Sequence, residues 1–257
     1  MKQAFDLTSL KWTLARAETA HEAPDWHDAI PAHVPGCVLD DLVRAGLAPD
    51  PFYGENFRAC AWTGEWTFWY GARFTLADLG IEPALCERAT LCFDAIDTYA
   101  EVFLNDVSLG SVANQFKRHA FDIRTLLHAD GPNHLVVRID PVKKAFRTWF
   151  DKTRPDAAGV TALFDDDRPW IRKSQMTFGW DNCPHLVAGG LTLPVRLETA
   201  SGPVIEDLSW DVPAVDPERP SADLRLRGRV AHASAPGEIR VAGHCCESTF
   251  DQSVAVS

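Results

Sequence analysis

The feature that most limits what this chain can become is a period of two. ATLCF (89–93), YAEVFL (99–104), HLVVRID (134–140) and LTLPVRLE (191–198) alternate or run apolar over strand-like lengths. Gly, Pro, Asn and Asp separate them, so each reads as a strand bounded by turns. In the last stretch Leu191, Leu193, Val195 and Leu197 are expected on one face, with Pro194 marking an edge or a bulge. Between YAEVFL and the following strand, Asn105-Asp106 supplies a hairpin turn. Helix signals are few. CVLDDLVRAG (37–46) has apolar spacing of three to four and ends at Gly46, which predicts a short helix. Strands at such spacing predict an all-β, antiparallel sandwich.

Composition shifts near residue 200. TASGP (199–203) reads as a linker, and IEDLSW (205–210) opens a second strand system that includes DLRLRGRV and GEIRVAG. The expected division is a first domain over 1–200 and a partial second domain over 205–257. The latter is shorter than the about 100 residues of an immunoglobulin-like sandwich, so it is expected to be incomplete.

The formal net charge of −11 is spread along the 257 residues without a Lys/Arg-rich run, which argues against a nucleic-acid partner. No stretch approaches the length of a membrane span, and MKQAFDLTSLKW lacks the apolar core of a signal peptide. The seven cysteines (37, 60, 86, 92, 183, 245 and 246) lack C-x-x-C or Cys/His ligand spacing. They read as free thiols of a reducing, cytoplasmic compartment. No cofactor or metal is expected. Asp165-Asp166-Asp167 lacks the glycine turn and distal glutamate of a calcium loop and reads as a solvated loop. His128 and His134 flank a turn with no third ligand in view. No serine or cysteine sits in a nucleophile elbow.

The stretch TFGWDNCPHL (177–186) stands apart. Gly179 and Pro184 punctuate it as a loop, which leaves two readings. Trp180 plugs a core and Asp181 caps backbone amides, or an indole face and a carboxylate are offered to a sugar ring.

Four segments, in order, carry a resemblance. HVPGCVLDDLVRAGLAPDPFYGENF (33–57) is similar to an opening V-P-G…D-L…G…D-P-[FY]-Y-G-x-N pattern. WYGARF (69–74) matches W-Y-x-x-x-F, and 91–127 shows D-T-Y-A, L-N-G-like and N-x-F-R-x-H-like features. IRKSQMTFGWDNCPHLVAGGLTLPVRLE (171–198) resembles R-K-x-Q…F-G-W-D-W-G-P…G-I-W-x-P-V-R-L-E. Together they resemble the N-terminal part of the β-mannosidases of glycoside hydrolase family 2.

The resemblance implies a jelly-roll, galactose-binding-like sandwich, then an immunoglobulin-like sandwich, then a (β/α)₈ barrel bearing two catalytic glutamates. It also implies that the G-W-D loop reaches over the barrel mouth, where its aspartate bonds hydroxyls of the sugar in the −1 subsite. Trp180 and Asp181 occupy those positions, with Asn182 beside them. Asn114 and His119 fall in a loop that the resemblance places near the same mouth. Arg172 is expected to buttress acidic neighbours rather than touch sugar.

Departures from the pattern are specific. Asn182 and Cys183 stand for a tryptophan and a glycine, Leu193 for a tryptophan, Leu39 for a histidine and Phe57 for an acidic residue. In the family the acid/base glutamate follows an asparagine, and no Asn-Glu dipeptide occurs in the 257 residues. The expectation is therefore a non-catalytic, carbohydrate-contacting portion, with a barrel on a missing segment or a separate chain. The alternative is a stand-alone carbohydrate-binding module.

Overall fold

The computed structural model describes residues 2–19, 24–82, 87–153, 167–216, 218, 221–231, 237–245 and 248–256. Asp165, Asp166, Cys86 and Cys246 lie outside them. The described residues fall into two compact units, one within Ala4–Glu198 and the other within Thr199–Ser257 together with Met1–Gln3.

Along the larger unit the strands are β1 (Lys2–Asp6), β2 (Trp12–Ala17), β3 (Ile30–Ala32), β4 (Thr67–Phe74), β5 (Arg88–Phe93) and β6 (Tyr99–Leu104). There follow β7 (Val107–Ala113), β8 (His119–Asp122), β9 (Asn133–Ile139), β10 (Phe178–Trp180), β11 (Cys183–His185) and β12 (Val195–Ala200). Ten of these strands form two sheets, a six-stranded one in the order β3-β2-β4-β9-β6-β7 and a four-stranded one in the order β1-β12-β5-β8, while β10 and β11 pair with each other. Their inner faces meet in one core. Leu14, Phe68, Tyr70, Val102 and Val137 come from the first sheet, and Leu91, Phe93, Val195 and Leu197 from the second. This is what period-two apolar patterning must produce, since only one face of each strand needs covering.

The Asn105-Asp106 turn forms as expected. Leu104 pairs with Val107, and both turn residues have positive φ (50° and 66°), the left-handed conformation that Asn and Asp tolerate. The expected short helix is α1 (Val38–Arg44), which buries Val38, Leu39 and Leu42. It stops at Gly46, whose φ of 72° a side chain would resist.

Three expectations need correction. Strand β12 begins only after Pro194, and Leu193 points outward, 48% exposed, so the shared face starts at Val195. Proline has no amide to give a ladder, and the chain enters the sheet one residue later. Thr199 and Ala200 complete that strand rather than opening a linker. Finally, a further helix α2 (Asn56–Ala59) and a longer one, α3 (Val142–Thr153), are present. The signal for α3 lies in Val142, Phe146 and Phe150, spaced four apart and all buried.

The second unit has β13 (Val204–Asp216) paired antiparallel with β14 (Ser221–Ala231), and β15 (Gly237–Cys245) with β16 (Ser248–Val256). Ile205, Leu208, Trp210 and Val212 on β13 are exposed.

Candidate functional site

TFGWDNCPHL is not an irregular loop. Strands β10 and β11 pair Phe178 with His185 and Trp180 with Cys183, leaving Asp181-Asn182 as a two-residue turn. In a regular strand, residues two apart share a face. Here Phe178 is buried whereas Trp180 is 51% exposed. Gly179, at φ 92°, breaks the alternation between them, and only glycine adopts that conformation without strain. One end of the hairpin is thereby sunk in the protein while Trp180, Asp181 and Asn182 stand at an exposed tip.

The buried end rests on a small apolar cluster distinct from the main core. Phe178 and Val187, one at each foot of the hairpin, pack with Ile171 and with Val142, Phe146 and Phe150 of α3. The ring centroids of Phe146 and Phe150 lie 5.2 Å apart, and those of Phe150 and Trp170 lie 5.8 Å apart. Arg147 on α3 pairs with Asp167 at 2.5 Å. Tyr99 packs at the margin, and its phenol is pushed up to about 12, by burial first and by the charge of Asp167 second.

Arg168 steadies the tip. Its Nε donates to Gln175 Oε1 at 2.9 Å and one terminal nitrogen donates to the Gly179 carbonyl at 3.3 Å. Its guanidinium lies over the Trp180 ring, 5.3 Å from the centroid. A cation on one indole face contributes about 0.5–2 kcal/mol and restrains the ring. Gln175 in turn donates to the carbonyls of Arg168 and Lys173, both at 3.1 Å.

Asn114 and His119 lie together, with His119 Nε2 2.9 Å from the Asn114 carbonyl oxygen. Asn114 Oδ1 accepts from the Phe116 amide at 2.9 Å, so this oxygen is committed to its own turn. The loop joins the approach to the hairpin through backbone. Asn114 bridges Arg172, the Gln115 amide donates to the Arg172 carbonyl at 2.9 Å, and the Ser174 amide donates to Gln115 Oε1 at 2.8 Å. The sequence-derived residues therefore form two groups, the tip triplet and the Asn114–His119 pair, linked by residues 172–174.

Arg172 corrects an expectation. Its side chain is exposed and makes no ion pair among the described residues, while its neighbour Lys173 is buried against Asp97. Sequence reasoning also missed Arg168, Gln115 and Gln175. Lys173 and Gln175 stand in the quoted R-K-x-Q pattern, but no periodicity marks a residue whose partner is remote in the chain. Among the described residues there is no group of three His, Cys, Asp or Glu side chains placed to hold a metal ion. No helix among them is long and apolar enough to cross a membrane.

Chemically, the tip offers an indole edge and face, a carboxyl group and a carboxamide within three residues, on a buried footing. That combination suits a polyhydroxylated ring, whose C–H face stacks on indole and whose hydroxyls donate to a carboxylate.

Residues 12–192 match the family model described as glycosyl hydrolase 2 galactose-binding domain-like. β-Mannosidase B of Emericella nidulans is 29% identical over 237 residues, covering 92% of this chain and 26% of that protein. β-Mannosidase B of Thermothelomyces thermophilus is 33% identical over 160 residues, 62% of this chain and 18% of the relative. This chain thus matches only 18–26% of the length of these curated relatives. Among solved structures, the β-D-mannosidase from Dictyoglomus thermophilum superposes with a TM-score of 0.81 at 26% identity, over 99% of this chain and 29% of that one. The exo-chitosanase of Amycolatopsis orientalis, at 16% identity and a TM-score of 0.64, shares the fold. The six- and four-stranded sheets are the jelly-roll sandwich, and β13 to β16 are strands of the immunoglobulin-like sandwich that follows it.

Proposed function

Because this chain belongs to the glycosyl hydrolase 2 galactose-binding domain-like family over residues 12–192, we propose that its hairpin tip contacts the sugar of a β-mannoside-type substrate. At the coarser level the chain is the N-terminal domain of a β-mannosidase-like glycosidase of glycoside hydrolase family 2, and the class of ligand is carbohydrate. The finer reading assigns Trp180, Asp181 and Asn182 to the wall of a −1 subsite that a catalytic barrel completes. Asn114 and His119 are assigned to its periphery.

One observation carries this reading. The paired strands β10 and β11 lift an exposed Trp-Asp-Asn tip from a buried base. Had Trp180 been a core plug, it would have been buried as Phe178 is. In this reading Asp181 accepts hydrogen bonds from two adjacent hydroxyls of the sugar. Hydrogen bonds to a charged group contribute about 1.5–3 kcal/mol, roughly a ten- to hundred-fold effect on binding. Part of that grows as the ring flattens toward an oxocarbenium-like transition state. Bond cleavage itself requires an acid/base carboxyl and a nucleophilic carboxylate about 5–5.5 Å apart. We assign neither to these 257 residues, so the chain alone is expected to release no nitrophenol from p-nitrophenyl β-mannoside.

The reading places the protein in the reducing cytoplasm, with Cys37, Cys60, Cys92 and Cys183 as free thiols. Burial pushes the Cys37, Cys60 and Cys92 thiols up, which leaves them poorly reactive.

The test joins the chain to the barrel of a relative and compares Asp181→Asn and Asp181→Ala with the parent. A ligand-contacting Asp181 gives variants that melt with the parent and lose ten-fold or more in kcat/KM. A stable Asp181→Ala with unchanged kinetics removes the assignment.

A further inference from the structure

The segment from Lys173 to Gly190 leaves the sandwich, forms the hairpin and returns. Both of its feet converge on Asp97, just before β6. At the returning foot, Asp97 and Gly190 exchange backbone hydrogen bonds, each 2.9 Å. At the departing foot, Lys173 Nζ donates to Asp97 Oδ2. The same ammonium donates to the carbonyl of Ala188, on the returning foot, at 2.8 Å. Thr98 donates its hydroxyl to the other carboxylate oxygen of Asp97. Lys173 is 1% exposed and Asp97 5% exposed, so this is a buried ion pair closed across the base of a protruding hairpin.

Neighbouring residues are shaped around it. A Cβ on Gly189 would lie 2.3 Å from the Asp97 carbonyl oxygen, and one on Gly190 would lie 2.5 Å from the Gly36 carbonyl oxygen. Side chains at either place would push the returning foot off. The departing foot is held on its far side by Gln115, which accepts from the Ser174 amide and donates to the Arg172 carbonyl. Above the pair, Leu186 donates to the Thr177 carbonyl at 2.9 Å, which starts the ladder that leads to Trp180.

A buried ion pair is weak as a source of stability, because desolvating two charges offsets their attraction. Its attested use is to specify one arrangement over others. An apolar pair at the same place would let the two feet slide. An ammonium with a carboxylate and a carbonyl as fixed acceptors has one arrangement that satisfies all three.

From this geometry we infer that Asp97 and Lys173 are positioning residues for the sugar-contacting tip. They do not touch ligand. They fix the register of the two feet, and so the height and direction of Trp180 and Asp181. The inference rests on the proposed role of the tip, but the two can fail separately.

The test uses the whole chain and the double variant Asp97→Asn/Lys173→Met, which removes both charges together and avoids stranding either one. Two measurements are made: amide hydrogen exchange followed by mass spectrometry, and NMR titration with methyl β-D-mannoside. Exchange in residues 174–187 is expected to quicken at least ten-fold, with β6 and β9 unchanged, and the sugar to bind at least ten-fold more weakly. Exchange that quickens equally in β6, β9 and the hairpin overturns the inference, because the pair is then only a general stabiliser. Unchanged exchange in 174–187 also overturns it, as does a loosened hairpin that binds the sugar as the parent does. If the parent shows no saturable binding while the variant loosens the hairpin alone, the sugar-contact reading falls and the clasp stands. Should the double variant not fold, Lys173→Arg is measured instead. It keeps the charge but not the fit, and the same local quickening is expected.

Discussion

Replacing Asn105 tests whether the six-stranded sheet depends on its turn as the geometry says. Asn105 holds φ 50° at the first turn position between β6 and β7. Its side chain makes three hydrogen bonds: Nδ2 to the Leu126 carbonyl at 2.7 Å, Nδ2 to Asn133 Oδ1 at 3.0 Å, and Oδ1 from the His134 amide at 2.8 Å. Asn133 is fully buried, so its oxygen loses a donor that water does not readily replace. Three bonds at about 1 kcal/mol each give about 3 kcal/mol. Alanine adds about 1–2 kcal/mol because it lacks the short polar side chain by which Asn tolerates the left-handed region, whereas glycine adds only about 0.5 kcal/mol of backbone entropy. Asn105→Ala should therefore cost about 4–5 kcal/mol and Asn105→Gly about 3.5 kcal/mol. For a unit of this size each kcal/mol lowers Tm by about 2–4 °C. Calorimetric melting should show Asn105→Ala roughly 8–20 °C below the parent, with Asn105→Gly a few degrees above it. Equal melting of the two variants refutes the backbone argument. A loss under about 1 kcal/mol in both refutes the hydrogen-bond count.

Gly189→Ala puts a Cβ 2.3 Å from the Asp97 carbonyl oxygen and 2.8 Å from Ile139 Cγ2. Overpacking of that kind costs about 1–3 kcal/mol, visible as a lowered urea midpoint, while Gly80→Ala, with open space around it, carries only its own backbone strain. Burial, and then the charge of Asp167, push the Tyr99 phenol up to about 12, so the neutral phenol is the form the fold favours. Its contribution is complete below about pH 10 and fades as pH rises through about 12, so Tyr99→Phe should flatten the alkaline loss of stability and remove one late step from the absorbance titration at about 295 nm. We also propose that residues 1–200 fold without the rest: a version ending at Ala200 keeps β12 entire and should melt within a few degrees of the parent sandwich, and its failure to fold would move the boundary.

Strands were legible where burial is one-sided. In YAEVFL, Ala100, Val102 and Leu104 fill the core while Tyr99, Glu101 and Phe103 are half-buried, so the alternation reports the sheet directly. The Asn-Asp turn was legible because few residue types accept positive φ. LTLPVRLE misled because its alternation continues through a proline, although the ladder cannot. Helix α3 passed unseen for a related reason: Lys143, Lys144 and Arg147 dilute its apolar stripe within a chain otherwise patterned in twos. The tip was visible as an odd triplet, and the resemblance supplied a role for it. What holds the tip was not visible. Asp97 and Lys173 are 76 positions apart, and Arg168 meets Trp180 only after the hairpin folds back over it.

The small apolar platform beneath the hairpin has a consequence for how such a protein changes over generations. Phe178, Val187 and the α3 side chains form a cluster of their own, apart from the residues that hold the two sheets together. Substitutions at exposed sites away from caps and networks usually alter stability by no more than about 0.5 kcal/mol. Asp181 and Asn182 are such sites, and Cys183 is half-buried beside them. A lineage can therefore change the tip, and with it the sugar contact proposed for it, without compensating changes in the sandwich. Asn182 and Cys183, where the resembled pattern has tryptophan and glycine, are substitutions of that kind. Under selection for a different sugar, the tip is where sequence divergence should collect first, while Gly189, Gly190, Asp97 and Lys173 stay as they are.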